Sequence, residues 1–335
     1  MIKKFFKFIL LLTFITVAVA ALSFYVAATK WRSPSDAELD VRPGSSLRSI
    51  AAQMHDVGII RVPKLFELYV RSKGAGGKMK AGMYDFPAGM NMIEAAGKLI
   101  SGDVRAYDFT IIEGWNIEDI AKALVGKPFI VNDDMPAEFR RLARDESLMD
   151  ELGVFEVPSF EGFLFPDTYR FDYPLSAKDF IRRLVSRFDE VWRSVPSGGD
   201  GRSRNEIITL ASIVEKETGI PSERALVAGV FMNRLLKGIA LQSDPTIIYG
   251  LSNFDGNIRK PDISNPHPYN TYVHRGLPPG PICNPGRASI IAAMNPEKTE
   301  YFYFVSMNDG SHHFSKDLAE HLKAVRRYQT FRSDK

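Results

Sequence analysis

The chain has 335 residues, room for roughly two globular domains, with 45% apolar, 25% charged and 11% aromatic residues; this ordinary globular usage excludes a short binding peptide, a disordered chain and a many-span membrane protein. A formal net charge of +3 is too small to mark a nucleic-acid binder. The single cysteine, Cys283, can close no intrachain disulfide and build no multi-thiolate zinc site, so stability has to come from packing.

Residues 8–28 carry no charge, and at 1.5 Å per residue they can cross about 30 Å of hydrocarbon. Lys3, Lys4 and Lys7 precede them, and Lys30 and Arg32 follow. Positive charge at the very N-terminus favours a cytoplasmic tail of residues 1–7, a membrane helix over 8–28 and export of the rest. The expectation is a single-pass protein of the cell inner (cytoplasmic) membrane, periplasmic or extracytoplasmic beyond residue 28. Ala18-Val19-Ala20 offers the alternative of a cleaved signal peptide, but the apolar stretch continues past it, longer than a signal core.

After a linker over 29–38, residues 39–41 form a short strand, and Pro43-Gly44-Ser45-Ser46 turns the chain into a helix with Leu47, Ile50, Ala51 and Met54 at helical spacing. A second helix over 62–72 closes on the glycines of 74–77. The strand-turn-helix outline returns at 83–96 and again at 109–121, a likeness of turns and caps rather than a repeat of fixed period. From 133 onward helices dominate: 135–144, then 177–192 with Phe180, Leu184, Phe188 and Val191 on one face. Between them 161–169 reads as an irregular aromatic-lined turn. The Ser- and Gly-rich residues 196–201 form a flexible loop before a helix over 205–218, capped near Arg204 or Asn205 and stopped by Gly219 and Pro221. A helix over 227–236, a long Pro-, Gly- and Asn-rich passage to 286, a hairpin of 301–306 with 312–315, and an amphipathic helix over 317–331 complete an α+β chain.

No G-x-S-x-G, H-E-x-x-H or phosphate-binding glycine loop is present, which removes three common enzyme classes. Adjacent His312 and His313 in a hairpin face opposite sides of the sheet rather than one metal, and no metal or cofactor is expected. Carboxylate chemistry remains. Glu215 and Glu217 are two apart on a helix, about 200° from each other, so only one can enter a given cleft. Glu217 lies on the side of Leu210, Ile213 and Val214. Apolar surroundings raise a carboxyl pKa, as a general acid near neutral pH requires, although glutamates in a last turn are ordinarily solvated. The passage 270–286 supplies Tyr rings and Asn amides suited to a sugar groove; the same composition also fits a polyproline-like structural loop.

The β-α-α-β order over residues 39–86, opening with Pro43-Gly44-Ser45-Ser46-Leu47-Arg48-Ser49-Ile50-Ala51, resembles a LysM domain, the small module that grips glycans rich in N-acetylglucosamine. It implies a glycan-binding subdomain over 39–102; a small α/β platform without a ligand is the alternative. Five ordered motifs carry a more specific likeness: Leu210-Ala211-Ser212-Ile213-Val214-Glu215-Lys216-Glu217-Thr218, Phe231-Met232-Asn233-Arg234-Leu235, Leu241-Gln242-Ser243-Asp244-Pro245-Thr246, Tyr269-Asn270-Thr271-Tyr272 and Gly276-Leu277-Pro278-Pro279-Gly280-Pro281-Ile282. Together they resemble the endolytic murein transglycosylase (YceG-like) family, with Ser243 where some members carry Thr.

The resemblance implies a mainly helical catalytic domain over 103–332 and a lytic transglycosylase that cuts the bond between N-acetylmuramic acid and N-acetylglucosamine in nascent peptidoglycan. Its catalytic glutamate falls on Glu217. A hydrolase ordinarily needs two acids about the bond; a lytic transglycosylase needs one, because the muramic C6 hydroxyl attacks the anomeric carbon and leaves a 1,6-anhydro end. Gln242, Asp244, Asn270 and Tyr272 are the substrate-binding candidates by motif position. Glu215 joins them as a side chain of the groove or its buttress, and is the first substitute for Glu217. Peptidoglycan strands, the membrane and peptidoglycan synthases are the implied partners. The competing readings are a muramidase-type hydrolase and a non-catalytic peptidoglycan-binding scaffold.

Overall fold

A computed structural model describes residues 2–330 except 78, 131, 132, 197, 199 and 200, so half of the flexible loop expected over 196–201 lies outside the described residues. The chain forms two compact units: Met1–Asp108 with Pro128–Val131 and Arg170–Leu175, and Phe109–Lys127 with Asn132–Tyr169 and Ser176–Lys335.

The first unit opens with α1 (Ile2–Thr29). Its apolar part, Phe5–Thr29, is 25 residues long and is the one helix among the described residues long and apolar enough to cross a membrane. Within it the hydroxyls of Thr13 and Thr16 donate to the carbonyls of Ile9 and Leu12 at 2.9 and 2.8 Å, so neither polar group is left unpaired on an apolar surface. There follow β1 (Ala37–Val41), α2 (Leu47–Asp56), α3 (Pro63–Ser72), β2 (Gly82–Phe86) and α4 (Met92–Ser101). β1 and β2 pair antiparallel with Leu39 opposite Tyr84, and both side chains are buried with Ile50, Met54, Phe66 and Val70. Alternation along the strands and 3.6-residue spacing along α2 thus aim at one core. Ser46 caps α2 by accepting from Ser49 N–H at 3.1 Å, and Asn91 with Glu94 forms a capping box on α4.

β3 (Ala106–Thr110) and β4 (Thr168–Asp172) form a two-stranded sheet. β3 stops before the expected 112: Ile111 still donates its N–H to the Asp167 carbonyl, just ahead of β4, but Ile112 is exposed to solvent. The second unit contains α5 (Ile117–Leu124), α6 (Met135–Leu142), α7 (Glu146–Glu151), α8 (Ala177–Ser194), α9 (Arg204–Glu217), α10 (Arg224–Leu236), α11 (Asp244–Gly250), α12 (Lys260–Ile263), α13 (Arg287–Met294), the antiparallel hairpin β5 (Tyr303–Ser306) and β6 (His312–Ser315), and α14 (Leu318–Val325). The amphipathic C-terminal helix is therefore shorter than expected; the chain changes at Arg326 into a π-turn through Thr330.

α9 is the centre of this unit. Ser203 and Glu206 form its capping box, one residue upstream of the expected cap. Every residue from Ile207 to Val214 is buried, Thr209 and Ser212 included, so the helix has no solvent face in the middle and packs against α10, α11 and α13. It does not end on a left-handed glycine: Thr218 is extended, with φ −138° and ψ 129°, which turns the chain sharply at the residue after Glu217.

Candidate active site

Glu217 occupies the last position of α9 and lines a cavity of about 560 Å³ with Phe231, Arg234, Gln242, Asp244, Tyr272 and His312. Its Oε1 accepts from the Ser243 hydroxyl at 2.5 Å. Burial pushes its carboxyl from 4.5 to about 7; Asp244 adds to the rise, while the Ser243 hydrogen bond and the charges of His312 and Arg234 oppose it. A carboxylic acid is thus held near half-protonation at neutral pH, facing a cavity, which is the condition for giving and regaining a proton.

The segment opposite Glu217 is fixed from behind. Ser243 N–H donates to Thr271 Oγ1 at 3.1 Å, Gln242 N–H donates to the Thr271 carbonyl at 3.1 Å, and the hydroxyls of Thr246 and Thr271 meet at 2.8 Å. Gln242 takes a left-handed backbone, φ 52°, a conformation a non-glycine residue adopts only when its surroundings impose it. Arg234, buried, donates Nε to the Phe302 carbonyl at 2.6 Å and Nη1 to the Leu241 carbonyl at 2.7 Å, and lies over the Tyr303 ring at 5.0 Å. It therefore joins α10, the Gln242 turn and β5 while leaving positive charge near the acid.

Of the substrate-binding candidates, Gln242, Asp244 and Tyr272 share the Glu217 cavity, and the Tyr272 hydroxyl donates to Asp244 Oδ1 at 2.6 Å. Glu215 and Asn270 do not line it. Glu215 points to the other side of α9, its side chain only 7% exposed, where it accepts from Gly286 N–H at 2.9 Å and pairs with Arg224 at 3.7 Å. The 200° separation holds, and of the two roles expected for Glu215 its contacts are those of the buttress: it fastens the start of α13. Asn270 is 1% exposed and donates Nδ2 to the carbonyls of Asp262, Ile263 and Asn265 at 3.2, 3.0 and 2.8 Å. Its amide nitrogen is thus spent on its own loop.

A second acid, Glu161, is also pushed up by burial, to about 8. Its environment differs from that of Glu217: both oxygens are occupied, by Ile117 N–H at 3.1 Å and the Tyr249 hydroxyl at 3.2 Å on one and by Asn284 Nδ2 at 3.1 Å on the other. Asn284 in turn accepts from Gly162 N–H at 2.9 Å and Leu164 N–H at 3.0 Å. The aromatic-lined turn is therefore a strut, and Gly162 belongs in it because its φ is +86° and a Cβ there would collide with Pro281 and Ile208. Cys283, fully buried with Sγ 3.3 Å from the Ser212 carbonyl, has its thiol pushed far up by burial and is packing.

Arg234, Ser243 and His312 carry no sequence signal of their own for this site: Arg234 and Ser243 sit inside longer motifs, and His312 in the hairpin, where the two histidines diverge as strand alternation predicts, His312 packing edge-on against Phe304 and His313 against Tyr328.

Residues 39–327 match the family described as the YceG-like family. The chain is 32% identical over 322 residues to an endolytic murein transglycosylase of Bacillus subtilis, covering 90% of this chain and 88% of that protein. It is 26% identical over 312 residues to an endolytic murein transglycosylase of Streptococcus pneumoniae, spanning 84% of this chain but 56% of the longer relative. Among solved structures, a YceG-like protein of Listeria monocytogenes is similar with a TM-score of 0.55 and 29% identity, over 86% of this chain and 98% of that one.

Proposed function

This chain belongs to the YceG-like family, and from that premise we propose that it is an endolytic lytic transglycosylase of peptidoglycan, anchored in the cytoplasmic membrane by α1 with its N-terminus inside. Residues 39–102 grip glycan in the manner of a LysM module and the unit around α9 cuts it. Cleavage at nascent strands beside a peptidoglycan synthase terminates their elongation.

The observation that carries this reading is Glu217, withdrawn from water, pushed to about 7 and opening on a cavity of polar and aromatic side chains. As the acid, Glu217 gives its proton to the glycosidic oxygen while the bond from that oxygen to the muramic C1 breaks. O6 of the same sugar bonds to C1, closing the 1,6-anhydro ring, and the hydrogen released from O6 restores the carboxyl. No water is consumed, and the nucleophile is carried by the sugar itself. Gln242 and Tyr272 hold the sugars.

Asp244 in the same cavity is the observation that favours a second reading, a two-carboxylate hydrolase. Its hydrogen bond to Tyr272 suits a binding role better than attack. Incubating the purified protein and Glu217→Gln with uncrosslinked glycan strands, with mass spectrometry of the ends, tests both. Anhydro ends from the wild type and none from the variant are expected; reducing ends mean hydrolysis, and binding without cleavage means a scaffold.

A further inference from the structure

Glu223, in the 3-10 turn Pro221–Glu223 after α9, is occupied on both oxygens by one residue. His312 Nδ1 lies 2.7 Å from Oε2, and the His312 backbone N–H donates to Oε1 at 3.0 Å. The pair is largely withdrawn from solvent, the two side chains being 12% and 15% exposed. The Thr218 hydroxyl, next in sequence to Glu217, reaches Glu223 at 3.5 Å. A carboxylate on Nδ1 fixes the ring and its tautomer, so that Nε2 carries the lone pair. Nε2 is on the opposite edge of the ring from Glu223, and His312 lines the Glu217 cavity whereas Glu223 does not.

Of the other titratable and charged groups of that cavity, Arg234 is spent on backbone carbonyls and Asp244 holds the Tyr272 hydroxyl, while His321, stacked on Tyr303 at 5.1 Å with its buried Nδ1 unpartnered, has its pKa lowered by burial and by the charges of Arg234 and His313. Glu217 and His312 share that space, and of the two histidines lining it His312 is the one with a carboxylate on Nδ1.

We propose that His312, positioned by Glu223, is the second catalytic group of this site: once Glu217 has delivered its proton to the departing oxygen, His312 takes the hydrogen from the muramic C6 hydroxyl. This rests on the transglycosylase reading and specifies how Glu217 is restored. The glycosidic bond breaks as its oxygen gains the Glu217 proton and the acetamido oxygen of the same sugar closes on C1 from the opposite face; the O6–H bond then breaks toward Nε2 as O6 bonds to C1 and the acetamido oxygen leaves. The imidazolium, stabilised by the Glu223 carboxylate, then returns its proton to the Glu217 carboxylate across the cavity, and both groups regain their starting states. Because O6 and the departing oxygen lie on the same face of C1, the two transfers are successive, and a second group lets the ring close without the Glu217 carboxylate having to serve both oxygens.

The test compares wild type, Glu217→Gln, His312→Gln, His312→Ala and Glu223→Gln on glycan strands, following rate against pH and the nature of the ends. His312→Gln is expected to lower kcat about 100-fold with KM little changed, and to abolish the acidic limb of the pH profile. Added imidazole should restore turnover to His312→Ala but not to Glu217→Gln. Glu223→Gln, which keeps the ring, should displace the acidic limb. Anhydro ends from His312→Gln at the wild-type rate and pH profile would overturn the proposal while leaving the transglycosylase reading intact. Loss of activity in His312→Ala without rescue, beside an unmoved profile in Glu223→Gln, would assign the ring to packing and also overturn it. Reducing ends from the wild type would overturn both.

Discussion

The hydroxyl of Ser243, at the N-cap of α11, donates to Oε1 of Glu217, at the last turn of α9, across 2.5 Å. This bond favours the ionised carboxylate and so works against the burial that raises the acid. Ser243→Ala removes the opposing influence and should move the Glu217 pKa further up from about 7, carrying the basic limb of kcat/KM to higher pH by about one unit. A pH–rate series on glycan strands measures it; a basic limb unmoved by the substitution would separate Glu217 from that limb.

Folding stability should carry the same signature. Because the folded pKa of Glu217 is raised above its ordinary 4.5 to about 7, the folded chain binds this proton more tightly than the unfolded chain. Its stabilising contribution is therefore complete below pH 4.5 and is lost as pH rises through about 7. The shift corresponds to on the order of 3 kcal/mol. Glu217→Gln, which does not titrate, should show its advantage over the wild type growing by that order between pH 4.5 and about pH 8, in urea unfolding series across pH. A constant difference between the two proteins would contradict the raised acid.

Periodicity carried the sequence a long way. The spacing of Leu47, Ile50, Ala51 and Met54 and of Phe180, Leu184 and Phe188 reflects 3.6 residues per turn against one core, and α2 and α8 form there with those residues buried. The facing of Glu217 away from Glu215 likewise follows from helical geometry alone. What the chain order conceals are the partners. Ser243 is 26 residues from Glu217, and His312 is 89 from Glu223, so the groups that tune the site meet only through the tertiary fold. α13 escaped notice because it starts directly after Pro285-Gly286, in a stretch whose composition reads as loop, and its small residues Ala288, Ser289, Ala292 and Ala293 show no polar face. The place of Asn270 outside the cavity lining is concealed for a related reason: an amide suits a sugar and a loop carbonyl equally, and its bonds to Asp262, Ile263 and Asn265 exist only in the fold.

Glu215 and Arg224 should behave as structure. Their side chains are 7% and 11% exposed and 3.7 Å apart, and Glu215 also holds Gly286 N–H. Glu113, nearby, is pushed up by burial and by the Glu215 charge. Removing one member of a buried pair strands the other, at a cost of about 3–5 kcal/mol. Glu215→Ala should lower the urea midpoint accordingly, while the folded fraction keeps the wild-type product ends; Glu217→Gln should show the converse, a folded but inactive protein. Loss of cleavage in a Glu215→Ala protein of wild-type stability would return Glu215 to the chemistry.

Asn270 and Tyr272 lie two residues apart in one motif, yet their substitutions should separate cleanly. Asn270→Ala leaves three loop carbonyls without their shared donor and frees Tyr272 N–H, which the Asn270 side chain accepts at 3.0 Å. At about 1–3 kcal/mol for a buried group left unpaired, the variant should unfold at lower urea. Its activity should fall as well, because Tyr272 loses its anchor. Tyr272→Phe keeps the ring and the loop and removes only the bond to Asp244; its stability should stay near that of the wild type while KM for glycan strands rises. Were Tyr272→Phe destabilised with KM unchanged, the Tyr272–Asp244 pair would be a brace of the cavity wall rather than part of the surface that receives sugar.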